Sequence, residues 1–177
     1  MTRTVTTTIY QFSELPEETQ RKIINRWRDH DTFSWGDEWQ DSLDGFTEAA
    51  PVRIRDWRVG HPGTHISFDM TGDYADEVGA LSGVRAWKWL MNNGFADLAK
   101  GDCPFTGYCG DESLLDAVRT ALANPGNITS LWDVFSECLW DWAKAYEADI
   151  DYWASDECIR DEIEANGYEF YECGRLV

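Results

Sequence analysis

The sequence predicts an α+β fold: one domain over residues 1–177, with about four mostly antiparallel strands packed on five or six helices. Four short segments alternate apolar and polar residues, the period of half-buried strands: 4–11, 52–59, 64–70 and 168–172. Residues 130–150 instead repeat apolar residues at steps of three and four, which is typical of one buried helical face. We expect the four strands to share one sheet, with this helix packed across it.

The chain opens on a predicted strand at 4–11, with alternate residues from Val5 to Ile9 on one face. Pro16 stands among acidic residues, a combination that favours the first turn of a helix. This first helix is predicted to run to about residue 29.

A loop and a second helix, at 37–49, precede a predicted hairpin. The turn residues at 60–63 join strands 52–58 and 65–70, which we expect to pair in an antiparallel arrangement. The alternation of the first of these strands holds at Trp57 only after a shift of register.

The middle of the chain alternates between helical patterns and loops. Residues 71–82 are rich in glycine and polar residues, which predicts a loop or a short helix. A helical pattern at 83–100 is interrupted at 93–94, where the sequence reads Asn-Gly. Residues 103–112 have the composition of a loop, and a helix is predicted at 113–123.

The segment that begins at Ser130 is predicted to be the helix on which the fold is organised. Ser130 with an acidic residue three positions later is typical of a helix N-cap. The helix is expected to break near Asp151 or Ser155, where a new helix begins. Its buried stripe should contain these residues: Leu131, Phe135, Cys138, Leu139, Trp142, Tyr146 and Ile150.

A second ladder of residues runs up another face of this helix. Asp133, Glu137 and Asp141 recur at steps of four, so their backbones lie ~6 Å apart along the axis. This spacing predicts a face of fixed negative charge opposite the buried stripe.

Negative charge is the strongest feature of the composition: 33 acidic and 15 basic residues give a net charge of −18. Residues 128–177 contain 13 of the acidic residues and only 3 of the basic ones. This distribution disfavours nucleic acid and anionic membranes as direct partners and favours basic protein surfaces. The alternative is that the acidity only keeps an aromatic-rich protein soluble.

The cysteines and the hydropathy pattern predict a cytosolic protein. There are five cysteines, an odd number with no Cys-x-x-Cys pair, and the expectation is that they are reduced. No apolar run reaches the ~18 residues that span a membrane, and no signal peptide opens the sequence.

The motifs of several large enzyme classes are absent from the sequence: the phosphate-binding glycine loops, the His-Glu-x-x-His zinc motif and the Gly-x-Ser-x-Gly nucleophile elbow. His61, His65 and Asp69 could meet at a metal, although a polar turn explains them equally well. Cys109 precedes a predicted helix N-terminus, where a thiolate is favoured, but no histidine is near it in sequence. We therefore predict no catalytic residue, no cofactor and no metal.

Three segments of the sequence, 12–28, 102–115 and 155–175, resemble a family of uncharacterised acidic phage and prophage proteins, some of which are labelled antitoxin-like. The most specific of their residues are those at 166–170, which read Asn-Gly-Tyr-Glu-Phe. The resemblance implies a viral or mobile-element gene in a bacterium and brings no catalytic residues. Small acidic phage proteins often block host defence, anti-CRISPR proteins among them, and this analogy extends the expectation to an anti-defence function.

The combined prediction is a binding protein, not an enzyme, that inhibits a defence complex. Its acidic surface would act as a DNA mimic in a basic, nucleic-acid-binding groove of a host protein. The alternatives are an antitoxin-like or regulatory partner of a basic protein, or a small enzyme that uses Cys109 or a carboxylate pair. The target and the oligomeric state are left open. The residues expected to bind the partner are Asp133, Glu137, Trp140, Asp141, Glu147, Asp151, Tyr152 and Trp153.

Overall fold

The structure is a computed structural model, which describes residues 7–30 and 36–177. Its four strands are antiparallel and lie among eight α-helices in the described ranges, so the predicted α+β class is confirmed. The expected five or six helices were too few, because the short helices of the middle of the chain were predicted as loops or as parts of longer helices. The strands are β1 (Tyr10–Gln11), β2 (Val52–Arg58), β3 (His65–Met70) and β4 (Glu169–Phe170). The helices are α1 (Glu17–His30), α2 (Gly36–Ala49), α3 (Ala75–Gly79), α4 (Gly83–Asn92), α5 (Phe95–Leu98), α6 (Gly110–Ala123), α7 (Leu131–Trp153) and α8 (Asp156–Ala165).

The contacts divide the chain into two compact units. The terminal unit is described over residues 7–30 and 150–177, and the central unit over residues 36–149. The expectation of a single domain stays a prediction, and each unit is described by itself below.

The prediction that all four strands share one sheet was wrong. Among the described residues, β1 pairs only with β4, in the terminal unit, and β2 pairs only with β3, in the central unit. The physical reason is that the other edge of β4 is already occupied. Phe170 forms an antiparallel bridge with Leu176, and the amide of Val177 donates to the carbonyl oxygen of Glu169 at 3.0 Å.

The terminal unit packs α1 and α8 around one apolar cluster. Its buried members are Phe12, Leu15, Ile23, Ile24, Ile159, Ile163 and Phe170. The predicted first strand begins only at Tyr10, and Ile9 is 43% exposed, so the predicted inward face is wrong at that residue. Val5 and the rest of 1–6 lie outside the described residues. The predicted closing strand is confirmed as β4, which is shorter than expected.

The central unit places the β2–β3 hairpin, α2 and α6 around α7. The predicted shift of register in the hairpin is confirmed: Ile54 pairs with Phe68, whereas Asp56 pairs with Ser67. The bulge returns Trp57 to the inner face, where its ring packs edge-on against Trp142 with centroids 5.4 Å apart. The buried core of this unit includes Leu43, Phe46, Leu90, Phe95, Leu114, Leu115, Phe135 and Trp142.

Local signals placed several helix ends correctly. The pattern at 83–100 is interrupted as predicted, because Gly94 has φ 84°, a left-handed conformation that ends α4 before α5 begins. The predicted new start at Ser155 is also confirmed, since its hydroxyl accepts a hydrogen bond from the amide of Cys158 at 3.1 Å. Within 7–30 and 36–177, no helix combines the length and the apolar composition needed to cross a membrane.

Gly45 in α2 provides a test of the packing in the central unit. A Cβ added at Gly45 would lie 2.8 Å from the Cβ of Phe105, closer than such atoms approach each other. Gly→Ala in an open helix interior stabilises a protein by about 1 kcal/mol. Overpacking costs about 1–3 kcal/mol, so we expect Gly45→Ala to lower the free energy of unfolding in a urea titration.

The control is Glu48→Ala on the exposed side of α2, which should change stability by less than about 0.5 kcal/mol. A Gly45→Ala protein more stable than wild type would contradict this packing.

Candidate functional site

The candidate site is the exposed face of α7. Burial of the other face of this helix determines which side chains of α7 point towards solvent. Ser130 caps the helix as predicted, since its hydroxyl accepts a hydrogen bond from the amide of Asp133 at 3.0 Å. The predicted stripe from Leu131 to Tyr146 is buried, while Ile150 is half-buried. Inside the core the indole N–H of Trp142 donates to the carbonyl oxygen of Trp39 at 3.1 Å. This bond and the surrounding rings set the rotation of α7, so the acidic ladder must face outwards.

The three ladder carboxylates lie where the sequence predicts. Asp133 and Glu137 are exposed, and Asp141 is half-buried. In the described part of the chain, none of the three forms an ion pair. Burial, Glu137 and Asp116 of α6 together raise the pKa of the Asp141 carboxyl. The negative charges therefore repel one another, and no ion pair among the described residues neutralises them.

Trp140 completes the same face. It is 45% exposed, and at 100° per residue its side chain points within about 20° of that of Asp133, one position of the ladder. The ammonium of Lys144 lies 5.7 Å from the centroid of its ring and also pairs with Glu147. We define the acidic face as Asp133, Glu137, Trp140 and Asp141.

A small depression adjoins the acidic face between the end of α6 and the start of α7. Its volume is about 140 Å³, which is the size of one side chain. Asp133 and Glu137 line it together with neutral polar groups, among them Asn124 and Asn127, and no cation is among the described residues that line it. The C-terminal end of α6 adds the negative end of a helix dipole. These groups suit a positively charged occupant.

Glu147 already has internal partners. Its carboxylate accepts a hydrogen bond from the hydroxyl of Thr64 at 2.7 Å and forms an ion pair with Lys144. The hydrogen bonds from Lys144 and Thr64 lower the pKa of Glu147. Glu147 thus fixes the hairpin turn to α7, and its predicted contact with a partner stays a prediction.

The remaining predicted contacts are at the end of α7, in the terminal unit. Asp151, Tyr152 and Trp153 are all exposed. The rings of Tyr152 and Trp153 meet edge to face, with centroids 6.0 Å apart. Their contact with a partner also stays a prediction.

Sequence reasoning missed two residues that border the acidic face. Trp132 is 47% exposed and its ring stacks on Phe68 with centroids 5.3 Å apart. Its position one residue after Leu131 of the buried stripe would have placed it outside the core on a helical projection. Asp116 influences Asp141 from α6, and no signal in the sequence indicates that the two helices approach each other there.

The loop before α6, which contains Cys109, is organised by a buried carboxylate. One oxygen of Asp111 accepts hydrogen bonds from the amides of Phe105, Thr106 and Gly107, at 2.8, 2.8 and 3.3 Å. The other oxygen accepts from the Thr106 hydroxyl at 3.0 Å. Burial by itself would raise the pKa of Asp111, but the nearby Ser42 hydroxyl and the amides lower it overall.

Cys109, the residue of the enzyme alternative, lies beside Tyr108 in this loop. Cys109 is exposed, and no described hydrogen bond or ion pair joins it to His61 or His65. Its neighbour Tyr108 donates to Asp149 at 3.3 Å, and Asp149 also accepts from the indole of Trp39 at 3.0 Å. These bonds fix the loop to the core of the central unit.

His65 and Asp69, two residues of the metal set considered above, pair with other side chains. His65 lies 2.8 Å from Asp56, and Asp69 forms ion pairs with Arg53 and Arg55. In the described ranges, no three histidine, cysteine, aspartate or glutamate side chains cluster in a way that could hold a metal ion.

Comparison of the chain with protein-family models, with curated proteins and with solved structures finds no match.

Asp111 and Asp141 should respond to neutralisation with opposite signs. Asp111→Asn removes the charge that receives four hydrogen bonds, so we expect the free energy of unfolding at neutral pH to fall by about 2–3 kcal/mol. The folded pKa of Asp111 is lowered, so its contribution is present above the unfolded pKa of about 3.9 and is lost as the pH falls through the lower folded value. Urea titrations should therefore show the gap to wild type narrowing below about pH 4. The exposed neighbour Glu112 is the control: if Glu112→Gln costs as much as Asp111→Asn, Asp111 does not anchor the loop.

For Asp141 the sign reverses, because folding raises its pKa. The penalty for its ionised form is absent below the unfolded pKa and appears as the pH rises through the folded one. We expect Asp141→Asn to stabilise the protein at neutral pH by about 0.2–0.5 kcal/mol, the cost of one like-charge pair on a helix, and to match wild type near pH 3. Thermal melts at low and at high salt measure this, since screening should reduce the gain. A destabilised Asp141→Asn protein would mean that the carboxylate has a favourable internal partner.

Proposed function

We propose that this chain is a binding protein that docks its acidic face on a basic, nucleic-acid-binding groove of another protein. The observation that carries the proposal is the set of three aligned carboxylates on α7 that have no ion-pair partner in the described residues. Unpaired like charges reduce stability, so their alignment has a cost that a positively charged partner would reverse.

The charge spacing supports mimicry of a phosphate backbone. One DNA strand carries a phosphate every ~3.4 Å along the axis, and the ladder carries a carboxylate every ~6 Å. The ladder alone therefore has roughly half the axial charge density of one strand. Asp116 on α6 adds charge beside Asp141, which brings the density closer to that of the strand.

Two further features suit a protein partner. Trp140 is a large exposed ring within the acidic face, and tryptophan is among the residues that contribute most to interface energy. The depression beside Asp133 and Glu137 has the volume and charge to receive one lysine or arginine side chain. Together they would add shape and apolar contact to a surface that charge alone would make unspecific.

The biological context of the proposal rests on the sequence resemblance. In that context the chain is a phage protein in the cytoplasm of a bacterial host, and the groove belongs to a defence complex of the anti-CRISPR target type. The arrangement of the acidic face supports docking on a basic protein surface and does not depend on which basic protein is the partner.

Charge reversal tests the acidic face. Asp133, Glu137 and Asp141 are changed together to Lys, and the tagged proteins are used to capture partners from a bacterial lysate. The captured partner is then purified and its affinity for the chain measured. We expect the triple change to abolish binding, because attraction becomes repulsion. Wild-type binding should weaken steeply with salt, since charges are screened over about 8 Å at physiological ionic strength, and duplex DNA should compete for the site.

The matched control is a second acidic ladder in the same unit. Asp41, Asp44 and Glu48 are exposed residues of α2 at steps of three and four, so their change to Lys alters the net charge equally. This control should retain most of the affinity, and both triple variants should keep the far-UV circular dichroism of wild type. Binding that survives reversal of the α7 ladder, or that both reversals reduce equally, would show that the acidic face is only a solvated surface.

A further inference from the structure

A pocket of about 430 Å³ lies within the terminal unit, where α1, α8 and the segment after α8 meet. Ligand pockets range from about 300 to 1,000 Å³, so this volume suits a small ligand. Its apolar wall includes Ile23 and Phe170, which belong to the buried cluster of the unit. The pocket is thus an opening onto the core and not a groove between polar loops.

Two aromatic rings line the pocket as a pair. Trp27 of α1 and Tyr168 after α8 are half-buried, with ring centroids 5.1 Å apart and planes inclined at 53°. A tilted pair of this kind offers ring faces and edges to a third aromatic group. The wall therefore favours a planar, apolar body in the occupant.

The pocket also contains one charge of each sign. Arg26 donates one N–H to the carbonyl oxygen of Gly174 at 3.2 Å, and the guanidinium has four further N–H donors. Glu162 is half-buried, and no hydrogen bond to its carboxylate is described. Over residues 7–30 and 36–177, neither Arg26 nor Glu162 forms an ion pair, either with the other or with a third group. Both charges are therefore available to an occupant.

We propose that this pocket binds a small zwitterion with an aromatic body, the chemistry of a free aromatic amino acid. Its carboxylate would receive hydrogen bonds from Arg26, its ammonium would donate to Glu162, and its ring would pack on Trp27 and Tyr168. A phosphate-bearing ligand is a poorer fit, because the described lining offers a phosphate one arginine in a chain of net charge −18. A metal ion is a poorer fit as well, because Glu162 is the only carboxylate among the described lining residues. The site is independent of the acidic face, which belongs to the central unit.

Three ligands that share the same aromatic group but differ in their charged groups separate the contribution of the carboxylate from that of the ammonium. The full chain is titrated with L-phenylalanine, with phenethylamine, which lacks the carboxylate, and with hydrocinnamate, which lacks the ammonium. Binding is followed by amide NMR shifts. We expect phenylalanine to bind about tenfold more tightly than either analogue, since one charge-assisted hydrogen bond has about that effect. The shifts should be concentrated at residues around Trp27 and Tyr168.

Neutral variants assign each charge to its residue. Arg26→Gln should reduce phenylalanine binding to the level of phenethylamine and leave phenethylamine unchanged. Glu162→Gln should reduce it to the level of hydrocinnamate and leave hydrocinnamate unchanged. Arg21→Gln and Glu164→Gln change exposed charges on the same two helices and should have no effect on any ligand. All four proteins are checked by circular dichroism.

Two results would overturn the proposal. One is equal affinity for the three ligands, which would mean that only the apolar part of the ligand contributes to binding. The other is the absence of shifts in the pocket at about 10 mM phenylalanine, a concentration above the Kd of a very weak site. Neither result bears on the acidic face, whose test uses the α7 variants.

Discussion

Burial of one face of α7 is the constraint on which the central unit depends. Trp142 is fully buried, packs against the rings of Trp39, Trp57 and Tyr146, and donates its indole N–H to the backbone of α2. A buried indole without a partner would cost about 1–3 kcal/mol, so this bond permits only a narrow range of rotations of the helix. Because the core holds this face inwards, the carboxylates on the opposite side of α7 are held in a fixed direction towards solvent. The direction of the acidic face therefore follows from the packing of the core behind it.

The carboxylates of the central unit serve two opposite purposes. Asp111 is buried and receives hydrogen bonds from three backbone amides, which makes its charge a structural anchor of the loop. Asp141 has no ion pair in the described residues, and its burial together with the charges around it raises its pKa. A stability-optimised surface would intersperse basic residues among such acids. Lys144 beside this face pairs with Glu147 instead, and none of the three ladder carboxylates has an ion pair in the described residues. This lack of ion pairs is the physical basis for the proposal that a partner supplies the positive charge.

The terminal unit also contains charged side chains that form no ion pair among the described residues. Arg26 and Glu162 line one pocket, yet neither is neutralised by the other, although the protein has many short ion pairs along single helices, such as Lys22 with Glu18. The aromatic pair of Trp27 and Tyr168 provides the apolar surface between them. Two unpaired charges beside an apolar wall are what recognition of an amphipathic zwitterion needs.

The sequence by itself determined the local features of this protein. The buried stripe of α7, the caps at Ser130 and Ser155, and the break at Gly94 follow from periodicity, side-chain hydrogen bonds and backbone freedom within a few residues. Only the tertiary structure decided which strands pair. Tyr10 pairs with Phe170, and no spacing in the sequence expresses a contact between segments so far apart. For the same reason the helical spacing located the acidic ladder, whereas the pocket of the terminal unit, built by α1 and the last segment of the chain, could not be anticipated. Hydrogen bonds and periodicities within one segment are encoded locally, and a site formed by distant segments exists only once the chain has folded.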